Sequence, residues 1–246
     1  MASVIEFTQL SYQHPGAAAP VIQGLSLNIE AGSFVAVVGG SGVGKSTLLR
    51  AAAGLTEPTA GAVRFQAQPR PGRRTRAVVF QDSRLMPWRT VGGNVGYGLE
   101  GLGLDRVEKT QRIDAALQLT GMGDYGRRWP HQLSGGQAQR VGIARALAVK
   151  PDLLLMDEPF SAVDAITRRN LQQELIRVWQ ASGAAVLFVT HDIEEAVFLA
   201  DKVVVLGGHP ANVVGSYDIA LPRPRDRGAA AFASQVAAIA HTLEHH

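Results

Sequence analysis

Short runs of consecutive apolar residues alternate with segments of helical pattern along the second half of the chain. The runs are "DLLLMD" at 152–157, "AAVLFVT" at 184–190 and "KVVVLG" at 202–207, and an earlier one, "SFVAVVG", lies at 33–39. Strands that are apolar on both faces are typical of a parallel sheet covered by helices on each side. The sequence therefore predicts an α/β fold.

Strand and helix patterns fill most of the remaining chain. Further strands are predicted at 4–10, 25–30, 62–66 and 77–80. Helices are predicted at about 44–53, 105–120, 135–148, 165–181 and 192–200. Residues 82–150 are helical in pattern and punctuated by glycine, which indicates an inserted helical subdomain.

The 246 residues, 46% of them hydrophobic, are enough to bury one large core. We expect a single domain over 1–242, with a core at about 1–81 and 151–227 and a tail at 228–242 that forms a small helix or a loose end. The final "LEHH" at 243–246 is similar to the remnant of a purification tag and receives no functional role.

Composition argues against several classes of protein. The chain has no cysteine, so it has no disulfide framework and no thiolate metal site. It shows neither the basic start and apolar run of an export signal nor the roughly 18 apolar residues of a membrane-spanning helix. We therefore expect a cytoplasmic protein. A net charge of only +3 gives little support for a nucleic-acid surface, and the basic cluster at 70–76 is typical of a solvated loop.

A glycine-rich segment, "GGSGVGKST" at 39–47, joins a predicted strand to a predicted helix. Its spacing is that of a phosphate-binding loop, in which glycines let backbone N–H groups approach phosphate oxygens at a helix N-terminus. We expect Lys45 to contact the β- and γ-phosphates of ATP and the Ser46 hydroxyl to ligate Mg²⁺. The residues expected to bind ATP here are Gly39, Gly40, Ser41, Gly42, Val43, Gly44, Lys45, Ser46 and Thr47.

Two adjacent carboxylates, Asp157 and Glu158, stand at the end of an apolar strand. Ligands of α/β folds collect at the carboxyl ends of the strands. We expect Asp157 to hold the magnesium shell, through a water molecule, and Glu158 to polarise the attacking water. Adjacent acids in isolation are common in solvated turns, but beside a phosphate loop they predict Mg-ATP hydrolysis.

The segment "LSGGQ" at 133–137 opens a later helix with small residues. Ser134 supplies a hydroxyl, Gly135 and Gly136 permit close approach of the backbone, and the helix directs its positive end at a bound anion. An ordinary helix N-cap would explain Ser134 but not the Gly-Gly-Gln after it. Since one nucleotide needs one cradle, the second cradle requires another explanation.

With both segments present, the chain resembles the ATP-binding subunits of ATP-binding-cassette (ABC) transporters. The resemblance implies a P-loop NTPase fold with a mixed, mainly parallel core sheet, an antiparallel β subdomain and the inserted helical subdomain. It also implies a head-to-tail homodimer on ATP binding, in which "LSGGQ" of one subunit covers the nucleotide of the other. On this basis Ser134, Gly135, Gly136, Gln137 and Asp164 are expected to bind ATP in trans.

Two smaller motifs add implied catalytic residues to Glu158. Gln81 follows the strand "RAVVF" and matches the family glutamine that reaches the metal and the attacking water. His191 follows "VLFVT" and matches the histidine that contacts the γ-phosphate. Each would be unremarkable alone. With Gln81, the implied magnesium ligands are Ser46, Gln81 and Asp157.

The resemblance extends over nearly the whole chain. Asp164, in "SAVDA" at 161–165, matches the aspartate that faces the other subunit, although Val163 stands where the family more often has leucine. Tyr12 matches the aromatic residue that stacks on adenine, and an early aromatic residue is also common in a core.

The segments "QDSRLMPWRTVGGNV" at 81–95 and "LPRPRDR" at 221–227 are similar to importer ATPases of the nitrate, sulfonate and taurine group. This similarity implies separate transmembrane permease subunits, an extracytoplasmic solute-binding protein and a location on the cytoplasmic face of the membrane. Met86, Pro87 and Trp88 could equally pack within the helical subdomain. Nucleic acid is not an expected partner.

Two other classes are weighed against this interpretation. A DNA-maintenance or repair ATPase would need a long heptad insertion or an extended basic face, and neither is visible. A small-molecule kinase would leave "LSGGQ" unused. Separately, residues 92–103 contain six glycines, each of which weakens a helix by about 1 kcal/mol relative to alanine. We expect this stretch to be mobile until a permease docks on it.

Overall fold

The computed structural model describes residues 3–161 and 163–245. Ala162 of the predicted "SAVDA" loop and His246 of the predicted tag remnant lie outside the described residues. The chain divides into two compact units, one made of Met1–Ala67 with Ala185–His246 and the other of Gln68–Ala184. Among the described residues, no helix is both long and apolar enough to cross a membrane.

The first unit contains a three-stranded antiparallel sheet. Its strands are β1 (Ser3–Tyr12), β2 (Ile22–Glu30) and β4 (Ala60–Phe65), and β1 lies between the other two. Apolar residues of β1 and β2 form the buried side, among them Ile5, Phe7, Leu10, Leu25 and Ile29. This sheet is the expected antiparallel β subdomain.

The first unit also contains the strands that were expected to be apolar on both faces. In it β3 (Phe34–Gly39) lies between β7 (Ala185–Val189) and β8 (Lys202–Gly207), and pairs with both in parallel. Every residue of β3 and β7 is buried. An edge strand, β9 (Asn212–Asp218), pairs with β8 in antiparallel register. The helices of this unit are α1 (Lys45–Ala53), α6 (Ile193–Leu199) and α7 (Ala230–Glu244).

The second unit combines two parallel strands, β5 (Arg76–Val79) and β6 (Leu153–Asp157), with four helices. The helices are α2 (Val91–Tyr97), α3 (Arg106–Leu119), α4 (Gly135–Ala148) and α5 (Ala165–Ser182). A core of apolar residues joins α2, α3 and α4, and includes Val91, Val95, Leu117, Val141 and Ala144. The mixed parallel and antiparallel α/β architecture confirms the predicted fold class.

The glycine-rich stretch at 92–103, whose expected mobility stays a prediction, includes most of the helix α2. Packing explains three of the glycines. A Cβ atom at Gly92 would lie 3.2 Å from the Gly126 carbonyl oxygen, one at Gly96 would lie 3.0 Å from Ile113 Cδ1, and one at Gly98 would lie 3.0 Å from the Arg145 carbonyl oxygen. Close approach of neighbouring elements therefore offsets the low helix propensity of these residues.

Candidate functional site

The glycine-rich loop of the first unit connects the buried strand β3 to α1. Gly42 and Gly44 have φ angles of 77° and 106°, in the region that favours glycine. A Cβ atom at Gly39 would lie 2.7 Å from the Leu206 carbonyl oxygen, whereas one at Gly40 or Gly42 would meet nothing within 4 Å. The loop thus turns tightly against β8 at its start and leaves open space at its centre, as a cradle for a phosphate group requires.

Lys45 begins α1 and lies along this loop. Its side chain is only 6% exposed, and its Nζ donates hydrogen bonds of 2.8 Å to the carbonyl oxygens of Gly39 and Gly40. No side chain caps α1 at Gly44 within the described residues. The ammonium group is therefore held in place beside the positive end of a helix, where a phosphate group would meet both.

His191 and Tyr12 also belong to the first unit. His191 is exposed and follows Thr190, whose backbone N–H donates to the Val37 carbonyl oxygen of β3 at 3.2 Å. The histidine and the loop thus leave the sheet at the same edge. Tyr12 ends β1, is half-buried, and packs edge-on against the His14 ring with centroids 5.0 Å apart. It therefore keeps part of its ring accessible for stacking.

The carboxylate pair and Gln81 lie at one edge of the parallel pair in the second unit. Asp157 is the last residue of β6, Glu158 follows it, and Gln81 comes two residues after the end of the neighbouring strand β5. Glu158 has a φ of 42°, which a side-chain-bearing residue rarely adopts. A strained conformation of this kind persists only where the surrounding structure offsets its cost, and such residues cluster at functional sites.

A predicted magnesium site needs hard oxygen donors. The residues named for it offer a hydroxyl, an amide oxygen and a carboxylate, which fit the preference of Mg²⁺ for oxygen ligands. Within the described residues there is no cluster of three His, Cys, Asp or Glu side chains.

The "LSGGQ" segment forms the start of α4 in the second unit. Ser134 caps the helix, because its Oγ accepts from the Gln137 N–H at 3.3 Å while Gln137 Oε1 accepts from the Ser134 N–H at 2.9 Å. This reciprocal capping box gives Ser134 and Gln137 a role within their own chain. Gly135 is exposed, and a Cβ atom there would meet nothing within 4 Å. Of these four residues, Gly135 faces open space most clearly.

Gly136 has a packing role that the sequence did not indicate. A Cβ atom at this position would lie 2.7 Å from Thr167 Cγ2 of α5. Asp164 caps the same helix α5 by accepting from the Thr167 N–H at 3.0 Å. This backbone hydrogen bond, with a further one from the Thr167 side chain, lowers the pKa of Asp164, so the carboxylate stays ionised at neutral pH.

Replacing Gly136 by alanine should therefore destabilise the fold through this contact. We expect the free energy of unfolding to fall by about 1–3 kcal/mol, the usual range for overpacking. Adding Thr167→Ser, which deletes the clashing methyl group, should restore most of the loss. Urea denaturation of the full chain measures both effects. Gly135→Ala is the matched control, since its new methyl group has room; a Gly136→Ala protein as stable as this control would contradict the packing role.

Two residues of α4 that the sequence did not single out hold the segment around Gln81. Gln139 is 3% exposed and its Nε2 donates to the Phe80 carbonyl oxygen at 3.1 Å. Arg145 donates to the carbonyl oxygen of Ser83 at 2.7 Å. Both residues lie on α4, six positions apart. Their contacts with the same segment, residues 80–83, are visible only in the folded structure.

The segment "MPW" at 86–88 is held through its backbone, and its tryptophan side chain is exposed. Asn94 is fully buried and binds the backbone of Met86 through two hydrogen bonds, one to its N–H at 2.7 Å and one to its carbonyl oxygen at 3.1 Å. Trp88 remains 72% exposed, and Tyr97 is 47% exposed. The alternative interpretation, that this segment packs within the helical subdomain, is therefore wrong for Trp88.

The basic cluster at 70–76 is used within the second unit. Arg70 pairs with Asp152, Arg73 Nε donates to the Lys150 carbonyl oxygen at 2.8 Å, and Arg74 donates to the Glu100 carbonyl oxygen at 2.9 Å. These contacts give the arginines a structural role.

Comparison with known proteins identifies the family of this chain. A family model described as "ABC transporter" matches residues 22–161, more than half of the chain. The chain belongs to the ABC transporter family. As a member of this family it is an ATP-binding protein that hydrolyses ATP, and the predicted recognition is confirmed.

Two relatives with similar sequences agree with this assignment. The chain is 46% identical over 207 residues to the taurine import ATP-binding protein TauB of Chromobacterium violaceum, covering 84% of this chain and 79% of that protein. It is 43% identical over 213 residues to the nitrate import ATP-binding protein NrtD of Synechococcus elongatus, covering 85% and 77%.

Solved structures give the same fold. CbiO1 from Clostridium perfringens, part of the ABC transporter complex cbiONQ, superposes with a TM-score of 0.80 at 28% identity, covering 89% of this chain and 90% of that one. The dimeric post-hydrolysis structure of the ATP-binding cassette MJ0796, bound to ADP and Pi, gives a TM-score of 0.73 at 29% identity and covers 87% and 98%. The ABC ATPase fold is thereby confirmed.

Proposed function

We propose that this protein is the ATP-hydrolysing subunit of an importer that carries a small anion, namely taurine, another aliphatic sulfonate or nitrate, through separate permease subunits. The observation that carries the proposal is the identity of 43% to 46% with taurine and nitrate import ATP-binding proteins over more than four fifths of the chain. The permease would hold the subunit at the cytoplasmic face of the membrane, and an extracytoplasmic binding protein would deliver the solute.

The residues of the first unit bind and orient the nucleotide in this proposal. The loop from Gly39 to Thr47 surrounds the phosphates with backbone N–H groups, and Lys45 supplies a fixed positive charge. Tyr12 stacks on the adenine ring. His191, at the same sheet edge as the loop, donates a hydrogen bond to the γ-phosphate and keeps it aligned.

The acids of the second unit supply the chemistry. Glu158 accepts a proton from the attacking water, and Gln81 orients that water. Ser46, Gln81 and Asp157 would hold Mg²⁺, Asp157 through a water molecule; the ion supplies charge neutralisation at the β- and γ-phosphate oxygens. Positioning and charge stabilisation are the main contributions that phosphoryl transfer needs from a protein.

The second cradle is assigned to a partner copy of the chain. Ser134, Gly135, Gly136 and Gln137 would approach the γ-phosphate bound to the other subunit, and Asp164 would face that subunit. The open space at Gly135 and the helix N-terminus beneath it support this assignment. Each bound ATP is then enclosed by two chains, so ATP binding drives formation of the homodimer.

Loss of anion uptake tests the transport function. In a strain lacking this protein, the rate of uptake of labelled taurine, of an alkanesulfonate or of nitrate should fall at least about tenfold below that of the wild-type strain. The permease then has no energy source. The wild-type gene should restore uptake. Unchanged uptake of all three anions would remove this class of substrate.

We also propose that the exposed side chain of Trp88 contacts the permease, and the Trp88→Ala variant tests this. It should keep ATP hydrolysis as an isolated protein and fail to restore uptake. Leu55→Ala is the matched control: Leu55 is 64% exposed and lies in the other unit. Full restoration by Trp88→Ala would contradict the docking assignment.

A further inference from the structure

The helix that follows His191 is short, and its first turn is tied to the residues on either side of that histidine. The seven residues of α6 are too few for an isolated helix to be stable. Asp192 caps the helix by accepting from the Glu195 N–H at 3.0 Å. The Thr190 hydroxyl donates to buried Glu195 at 2.5 Å and accepts from the Asp192 N–H at 3.1 Å. The backbone at 190–192 is therefore tied to the first turn of the helix.

Arg225 holds the opposite end of α6. Its side chain is almost completely buried, and its Nη1 donates to the carbonyl oxygens of Val197 and Ala200, each at 2.6 Å. Its other nitrogens donate to Ile219 and Leu221. Burial, aided by the nearby Arg223, lowers the pKa of Arg225 to about 10, so it remains cationic at neutral pH. A cation at this end satisfies helix carbonyls and complements the helix dipole.

Arg223 links the same helix end to the strand that leads to the phosphate loop. Its Nη2 donates to the Leu199 carbonyl oxygen at 2.5 Å, and its Nη1 donates to Asp201 Oδ1 at 2.6 Å. The other oxygen of Asp201 accepts from the backbone N–H of Phe34, the first residue of β3, at 2.9 Å. The end of α6 and the start of β3 are thus joined through one carboxylate.

Arg227 adds a contact to the outer face of α6. Its guanidinium lies 4.2 Å from the centre of the Phe198 ring and 4.0 Å from the Glu194 carboxylate. Every second residue from 223 to 227, in each case an arginine, therefore contacts α6 or its C-terminal end.

We propose that Arg223, Arg225 and Arg227 form a clasp on α6 and act as positioning residues for His191. The clasp fixes the C-terminal end of the helix, and the Thr190 and Asp192 bonds transmit that fixed position to the histidine at the other end. The inference rests on the proposed role of His191 at the γ-phosphate. It assigns a task in ATP hydrolysis to the segment at 221–227, whose named hydrogen bonds go neither to the phosphate-binding loop nor to "LSGGQ".

A double-mutant cycle tests this inference. Arg225→Met in the full chain should lower kcat for ATP about tenfold, since small misplacement of a group aligned with the reacting phosphate is costly, and should leave KM within about twofold. In a His191→Ala background the same substitution should change kcat by less than about twofold, because the group that it positions is gone. Arg225→Lys, which keeps the charge but loses the fork, should fall between wild type and Arg225→Met. Arg64→Met, an exposed arginine of β4 in the same unit, should leave kcat unchanged.

The outcomes separate this inference from the function on which it rests. An unchanged kcat in His191→Ala alone would overturn the proposed role of His191. A low kcat in His191→Ala, with the full tenfold effect of Arg225→Met repeated in that background, would overturn the clasp while leaving His191 in place. If Arg225→Met does not fold, Arg223→Met takes its place in the cycle, and there too a full effect in both backgrounds overturns the inference. A stability loss with an unchanged kcat would reduce the arginines to a structural role.

Discussion

The Glu158→Gln protein is expected to bind ATP and to form ATP-dependent dimers while losing nearly all hydrolysis. The substitution keeps the size and shape of the side chain but removes the carboxylate that accepts the proton. General-base contributions of this kind are worth roughly 10²–10⁴-fold in rate. Phosphate release at saturating Mg-ATP measures the loss, and size-exclusion chromatography with and without ATP measures the dimer.

A control is available in the same unit. Asp114 is an exposed acid on α3, and Asp114→Asn changes the net charge by the same amount. It should leave turnover unchanged, which separates loss of the base from loss of a negative charge. Turnover of Glu158→Gln within threefold of wild type would remove Glu158 from its assigned role.

The second large effect is expected for Gly135→Asp, which should disturb the nucleotide site of the partner subunit. The new side chain has room within its own chain, and an acid in the first turn favours α4 through the helix dipole. In the other subunit's site, however, the same carboxylate would face the γ-phosphate. We expect the homodimer of this variant to lose ATP hydrolysis at least about a hundredfold, since electrostatic donors at such sites are each worth that much, with a free energy of unfolding no lower than that of the wild type.

Mixing this variant with Lys45→Met decides whether the site is shared between chains. If each site contains Lys45 of one chain and Gly135 of the other, the mixed dimer has one site with both lesions and one with neither. ATP trapped with a phosphate analogue should then rise to about one per mixed dimer and stay near zero in each homodimer. If each chain builds its own site, every site in the mixture carries a lesion, and trapping would remain near zero. That second result would refute the shared site.

Much of the fold was predictable because apolar runs and helix signals agree with their final environment. The strands at 34–39, 153–157, 185–189 and 202–207 are buried except at Asp157 and Lys202, which are half-buried, and their apolar character located them within about a residue. The helices α3 and α4 were also located closely, since Asp105 and Ser134 are recognisable N-caps.

The elements that sequence reasoning missed or underestimated lack such signals. The tail helix α7 runs for 15 residues, yet Ala229 at its start provides no side-chain cap, so it was expected only as a small helix or a loose end. The edge strand β9 is mostly half-buried and contains Gly215, which weakens the strand pattern. In α2 the glycines oppose a helix locally, and contacts with distant residues, namely the Gly126 backbone at Gly92 and Ile113 of α3 at Gly96, explain two of them.

The candidate site shows the same division between local and long-range information. The spacing of "GGSGVGKST" is a local pattern, and the open loop with its buried lysine agrees with it. Gly136 was expected to approach a nucleotide, whereas its own fold already requires glycine beside Thr167. The contact joins positions 31 residues apart in sequence (167 minus 136), so no local pattern could reveal it.

The left-handed backbone at Glu158 implies a compromise between folding and chemistry. Glycine would adopt a φ of 42° without the penalty, roughly 1 kcal/mol or more, that a side chain carries there. The chain accepts that penalty at the one position where its proposed function needs a proton acceptor. Glycine at 158 would relieve this backbone penalty but would also remove the proposed proton acceptor, so the strain and the chemistry belong to the same residue.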